Sequence, residues 1–252
     1  MSVLKKMPHS LEVKGAASEN RWAQPRAQLF QPTPTTVAFV AQTTAGKTSQ
    51  MLTVANELFP IMDKTVIFSH SHRLDPAFGE LKQKIEARML ARGEDPNLHP
   101  YTFENLNALP RILAEQREKV QEAKDLDKKR LPQLMILCAD MLGEMNHNKT
   151  LGSVVHRGRH YGTTLLADTQ VYRGLQSDMR KNFAMWCIGR LPAVDWKAFE
   201  EEHSGTFVTK EQLREMYDRA VSPKYGFFTY KPRSGDPNQM FYANFTTRLI
   251  PS

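Results

Sequence analysis

Cysteine is scarce in this sequence: only Cys138 and Cys187 occur in 252 residues, both inside apolar runs. Two such residues do not make a disulfide framework and read instead as buried thiols in a reducing compartment. Long hydrophobic runs are missing too. None approaches the roughly 20 residues that a membrane-spanning helix requires. The opening stretch MSVLKKMPHSLEVKG lacks the continuous apolar core of a secretory leader. There is no internal repeat and no low-complexity tract. Acidic residues are in deficit, with 27 Asp and Glu against 34 Lys and Arg, for a net charge of +7. That excess suits a polyanionic partner. Apolar residues at 40% of the chain are enough to bury one large core.

Between these absences, strand and helix signals alternate. Residues 1–34 carry little apolar periodicity and close on Gln31-Pro-Thr-Pro34, which reads as an N-terminal arm; 35–252 read as the folded domain. Short apolar runs predict strands over 35–41 (TTVAFVA), 64–69 (KTVIFS), 134–139 (LMILCA), 163–167 (TTLLA) and 183–188 (FAMWCI). Apolar stripes at helical spacing predict helices over 48–59, 76–92 and 109–129, the last with a strongly charged outer face. A helix over 209–220, capped by Thr209, leads to strands over 225–230 and 240–245 joined by a Gly-Asp-Pro turn. Runs that are apolar on both faces imply a mostly parallel sheet covered by helices. The fold class is therefore α/β, with a C-terminal helix and β-hairpin.

The first strand and first helix enclose the octet Ala41, Gln42, Thr43, Thr44, Ala45, Gly46, Lys47 and Thr48. This is a phosphate-binding loop, a Walker A pattern, with alanine in place of its first glycine. Strand, tight loop and helix N-terminus form the context the motif needs: backbone N–H groups and the positive helix end hold phosphates, with ATP the expected nucleotide. Lys47 is placed to reach the β- and γ-phosphates, and the Thr48 hydroxyl to ligate Mg²⁺. Ala41 is costly if the loop demands a left-handed backbone there, at roughly 1 kcal/mol or more. Either the backbone at Ala41 is ordinary, or phosphate affinity is reduced.

Such a loop needs a carboxylate at the end of a neighbouring strand to hold the metal. Asp140 closes the apolar run LMILCA and is the candidate Walker B acid and Mg²⁺ ligand. The bland alternative is a turn aspartate. Glu144, one helical turn on, is either a base or water-positioning group or a solvated glutamate. Gln170 ends the strand beyond, TTLLADTQ, as a candidate sensor of the γ-phosphate. Arg157 and Arg159, in His-Arg-Gly-Arg-His, are candidate arginine fingers for a neighbouring subunit, and Arg180 is a weaker one. Ser69-His-Ser-His72 puts two histidines on one face of an extended segment, without a third metal ligand at an obvious spacing.

Taken in order, the loop, the segment VIFSHSHRLDP, the apolar strand before Asp140 and HRGRHYGTTLLADTQVYRGLQSDMRKN resemble the genome-packaging ATPases of double-jelly-roll DNA viruses. These form the poxvirus-type branch of the FtsK–HerA superfamily. The Gly-Arg-His ahead of a strand ending in Gln, followed by Arg180-Lys-Asn182, is the most specific part, and the likeness spans roughly residues 35–228. The resemblance implies an additional-strand P-loop NTPase fold, assembly into a homo-oligomeric ring (pentamer or hexamer), and ATP-driven movement of double-stranded DNA into a preformed capsid. It also implies a capsid or packaging-vertex partner and a location inside the host cell, at the virus assembly site or on the virion. Under it Lys47 and Thr48 hold phosphate and Mg²⁺, Gln170 is the sensor, and Arg157 or Arg159 acts in trans. Two departures stand out: Ala41 replaces the usual glycine, and Ala139-Asp140 replaces an acidic pair. They keep two other readings open, a different P-loop DNA-dependent ATPase (helicase or replication initiator) and a nucleotide-binding scaffold with a decayed hydrolytic site.

Overall fold

The structure is a computed structural model that describes residues 21–251 apart from 74, 147, 206 and 235. Residues 1–20 of the expected arm, and Gly235 of the expected C-terminal turn, lie outside the described residues. One nine-stranded sheet organises the chain. Its strands are β1 (Thr36–Val40), β2 (Lys64–Ser69), β3 (Thr102–Phe103), β4 (Leu134–Ala139), β5 (Thr163–Thr169), β6 (Met185–Ile188), β7 (Phe228–Tyr230), β8 (Phe241–Ala243) and β9 (Thr247–Leu249). Across the sheet they run β3-β2-β4-β5-β1-β6-β7-β8-β9. The first six in that order pair in parallel, and β7 to β9 add on antiparallel. The helices are α1 (Lys47–Leu58), α2 (Gly79–Ala91), α3 (Leu109–Asp125), α4 (Leu142–Met145), α5 (Lys149–Arg157), α6 (Ser177–Asn182), α7 (Ala193–His203) and α8 (Lys210–Val221).

Two features of this order position the site. β5 lies between β1 and β4, so the strand carrying the loop and the strand ending near Asp140 are separated by one additional strand. β1 is also a switch point. From it the chain builds β2, β4 and β5 on one side, then crosses to β6 on the other, and crevices at the carboxyl ends of strands around such points take ligands.

The side-chain period of two sends alternate residues of each central strand to opposite layers. Val37, Phe39, Ile67, Met135, Leu137, Leu166 and Cys187 face one layer, where α1 contributes Met51, Val54 and Leu58 and α2 contributes Leu81 and Ile85. Ala38, Val40, Phe68, Ile136, Leu165, Trp186 and Ile188 face the other, filled from α3, α5, α7 and α8. Both faces are therefore dry, which is why these strands read as unbroken apolar runs. Cys138 and Cys187 are free, fully buried thiols, and desolvation pushes both up from their ordinary pKa. Thr209 caps α8 in a reciprocal pair with Gln212, a device worth about 1 kcal/mol. In the segment before β1, Gln24 and Thr33 bond to each other and Leu131 donates its N–H to the Arg21 carbonyl. No helix among the described residues is long and apolar enough to cross a membrane.

Candidate functional site

The loop between β1 and α1 is built around its missing glycine. Ala41 is fully buried and has no positive φ, so it pays no left-handed penalty. Its methyl occupies space left by Gly189 at the end of β6: a Cβ on Gly189 would stand 2.7 Å from the Ala41 Cβ. The alanine is thus compensated by a glycine one strand away. Of the two readings open at the sequence level, ordinary backbone at Ala41 is the one observed. Further along, Thr44 (φ 63°) and Gly46 (φ 87°) take left-handed conformations that bend the loop into the helix. Gly46 is the N-cap of α1 and supplies no side chain to cap it. The first N–H groups of α1 therefore have no side-chain cap at the positive end of the helix, the arrangement that binds phosphate. Lys47 Nζ curls back to donate to the Gln42 carbonyl at 3.2 Å.

Beneath this helix start lies an acid for which the sequence reading assigned no role. β5 runs from Thr163 to Thr169, stopping one residue short of Gln170, and includes Asp168. Strand parity decides where its carboxylate goes. Leu166 faces the α1 layer, so Asp168, two residues on, faces it as well, opposite Phe39 of β1. There Thr48 Oγ1 donates to Asp168 Oδ2 at 3.4 Å, and the Asp140 N–H donates to Asp168 Oδ1 at 2.6 Å. Asp168 is only 2% exposed. Desolvation pushes its pKa up to about 6, against the pull of the Asp140 N–H, Lys47 and Thr48. Ala139 on β4 lies one residue past Cys138, which pairs with Ala167 of β5. The place of the missing first acid thus adjoins Asp168 on the neighbouring strand.

Asp140 sits just past β4, exposed, with φ 56°. A left-handed backbone at a non-glycine residue costs about 1–2 kcal/mol and concentrates where structure serves a site. Gln170 joins the pieces: its Oε1 accepts from Thr43 Oγ1 at 3.0 Å, and its Nε2 donates to Asp140 Oδ1 at 3.3 Å. Loop, strand-end acid and candidate sensor are therefore in one hydrogen-bonded chain. Glu144 spends its two oxygens elsewhere, one on the Leu106 N–H at 2.8 Å and one beside His70 Nε2 at 3.3 Å. His72 is buried, and burial beside Lys82 and Arg73 holds its imidazole below the usual pKa.

The arginines separate clearly. Arg180 is committed inside its own chain, paired with Glu202 and donating to the Leu175 carbonyl, so it is not free to serve as a finger. Arg157 and Arg159 are exposed, at the start of the turn that leads into β5. That turn is at the opposite end of β5 from Thr48, roughly 20 Å away for seven strand residues. Neither can reach its own loop. The glycine between them serves the chain itself, since a Cβ on Gly158 would meet the Thr163 carbonyl at 3.0 Å.

A hydroxyl and two carboxylates, on Thr48, Asp168 and Asp140, form a hard, all-oxygen donor set of the kind Mg²⁺ takes beside a nucleotide phosphate. The buried, destabilised charge on Asp168 fits a nearby cation. When bound, the ion would supply charge neutralisation for phosphate oxygens. Among the chain's own groups, the Thr48 hydroxyl is oriented by Asp168, Gln170 ties Asp140 to the loop, and Lys47 and the α1 N–H groups are the ones that would face a phosphate. Another cavity, of about 350 Å³ between α2 and α3, contains none of these groups.

No protein-family model matches this sequence, and no curated protein matches it. The fold is that of solved P-loop NTPases. The genome packaging NTPase B204 of Sulfolobus turreted icosahedral virus 2, in complex with AMP, is 13% identical with a TM-score of 0.52, over 83% of this chain and 96% of that chain. The same protein in complex with AMPPCP gives 12%, 0.53, 83% and 96%. B204, the DNA-packaging ATPase from Sulfolobus turreted icosahedral virus, gives 13%, 0.52, 83% and 96%. At such identities the likeness is one of fold.

Proposed function

We propose that this chain is an ATP-hydrolysing motor subunit that moves double-stranded DNA into a preformed viral capsid. The observation that carries the nucleotide part is the contact of Thr48 with Asp168 under the uncapped start of α1. It supplies a carboxylate where Ala139 leaves none, and so favours a working hydrolytic site over a decayed one. Lys47 and the loop hold the phosphates of ATP, Thr48 and Asp140 hold Mg²⁺ with Asp168 behind them, and Gln170 senses the γ-phosphate. The DNA-packaging part draws on three supports: the motif resemblance, the net charge of +7, and a shared fold with B204, a genome packaging NTPase.

In this reading the subunits form a ring, and Arg157 or Arg159 completes a neighbour's site, since neither reaches its own. The capsid or packaging-vertex protein is the docking partner, and the N-terminal arm (1–34) is an appendage to the ATPase domain (35–252). The test is ATP hydrolysis by the purified protein with and without duplex DNA, beside Lys47→Ala. Turnover that duplex stimulates and Lys47→Ala abolishes supports the proposal. Hydrolysis indifferent to DNA leaves a plain P-loop ATPase, and none at all leaves the scaffold reading.

A further inference from the structure

On the β5 side of the loop, Asp168, Asp140 and Gln170 converge, which marks the γ-phosphate end of a bound nucleotide. The nucleoside must then leave on the β6 side. There the structure has an open cleft of about 580 Å³, lined by Gln42, Thr43, Arg190, Ser222, Lys224 and Tyr225 among others, a volume ordinary for a small-molecule site. Its wall is the turn between α8 and β7, and that turn is held firmly. Arg190 donates to the Val221 and Ser222 carbonyls, while its own carbonyl accepts from the Gln42 N–H of the loop. Gly226 donates to the Pro223 carbonyl and packs so closely on α8 that a Cβ there would stand 2.3 Å from the Ala220 carbonyl.

At the tip of this clamped turn sits Tyr225. The residue is 56% exposed, and its backbone is left-handed at φ 61°, a rare conformation for a bulky residue. The ring lies beside the N-cap of α1, with its Cδ1 3.5 Å from where a Gly46 Cβ would be. Lys224 Nζ is 5.0 Å from the ring centroid and adds a cation to the same cleft. An exposed aromatic held in a strained backbone next to the loop is an outlier that stability does not explain.

We propose that Tyr225 is the stacking platform for the nucleobase, and that the favoured substrates are purine nucleoside triphosphates. The inference rests on the nucleotide reading above. A stacked ring reads a π-face rather than hydrogen-bond edges, so it prefers large bases and tolerates both adenine and guanine. The experiment is direct titration of ATP, GTP, UTP and inorganic tripolyphosphate into the parent, Tyr225→Phe and Tyr225→Asn. Asparagine accepts the left-handed backbone, so this variant removes the ring without adding strain.

The expected result is a loss of about tenfold for ATP and GTP in Tyr225→Asn, within the range of one lost stack. UTP should lose less, tripolyphosphate should be unchanged, and Tyr225→Phe should retain parent affinities. Equal losses for tripolyphosphate and ATP would overturn the proposal, because the ring would then be propping Gly46 rather than meeting a base. Unchanged ATP affinity in Tyr225→Asn would overturn it as well. Lys47→Ala separates the two levels: if ATP binding depends on Lys47 but not on Tyr225, only the platform fails. If it is indifferent to Lys47, the phosphate site fails and the platform with it.

Discussion

Asp168→Asn should make this protein more stable and less active. The carboxyl ionises near pH 3.8 in the unfolded chain, and burial raises it to about 6 in the folded one. Below pH 3.8 it is protonated in both states and costs nothing. As pH rises through that value the unfolded chain gains by ionising while the folded chain does not, so stability falls. The decline ends once pH passes 6. The accumulated cost is about 3 kcal/mol at pH 8 and roughly half of that at pH 5. Asparagine keeps an acceptor for the Asp140 N–H and turns a donor toward the Thr48 hydroxyl, so the local bonds survive while the charge disappears. At roughly 2–4 °C per kcal/mol for a domain of this size, the variant should melt about 6–12 °C above the parent at pH 8, with the gap narrowing toward pH 5. Thermal and urea unfolding of both proteins between pH 5 and 8 measure it directly. ATP hydrolysis by the same variant should fall steeply, since the group that orients Thr48 has lost its charge. A variant less stable than the parent at pH 8, or a gap flat across the range, would refute the argument that Asp168 is an ionised group held at a cost.

Three further outcomes follow from the same geometry. Asp168→Ala should lose turnover, and the double change Asp168→Ala with Ala139→Asp should recover part of it by returning a carboxylate from the adjoining strand. Ala139→Asp alone should lose stability by crowding two carboxylates, and a turnover assay showing no rescue would disconnect Asp168 from the chemistry. Gly189→Ala should destabilise by about 1–3 kcal/mol through its clash with the Ala41 methyl, and adding Ala41→Gly should restore part of that stability, the Phe227 ring at 3.3 Å remaining, which a denaturation cycle over the four proteins measures. Mixing Arg157→Ala or Arg159→Ala subunits with Lys47→Ala subunits should regenerate hydrolysis from two inactive preparations, because an intact loop then faces an intact arginine. Absence of rescue from both mixtures would remove the trans finger.

How far the sequence disclosed this site depends on the direction in which information runs. Along the chain, β2 and β4 match their expected spans, and α1 and α8 fall within one residue of theirs. Each carries a strong local pattern, a β-branched apolar run or a stripe at helical spacing. The charged helix is shorter than its pattern, ending at Asp125 rather than 129, because Asp127 turns left-handed (φ 46°) and Lys128 donates back to the Ala123 carbonyl, closing the helix. No pattern along the chain predicts α4, α5, α6 and α7; α4 and α6 span only four and six residues, too few for periodicity to register. Nor does any predict the two-residue β3 and the edge strand β9, whose existence depends on strands brought alongside by the fold.

Across the sheet the sequence is nearly silent, and the site is assembled across the sheet. Read along β4, Ala139 looks like a lost acid; read along β5, Asp168 looks like a polar residue closing a strand. Only the pairing of Cys138 with Ala167 brings the two positions together, and only the parity shared with Leu166 turns Asp168 toward Thr48. The loop repeats the pattern, since Ala41 is tolerable because Gly189, 148 residues later, stands without a side chain beside it. Both departures from the expected motif are thus answered by a residue on an adjacent strand, Asp168 on one flank of β1 and Gly189 at the end of the other. A motif is a linear record of a constraint that acts in three dimensions. The requirement here is a carboxylate under the Thr48 hydroxyl and an unobstructed turn after β1, and any strand bordering that point can meet it.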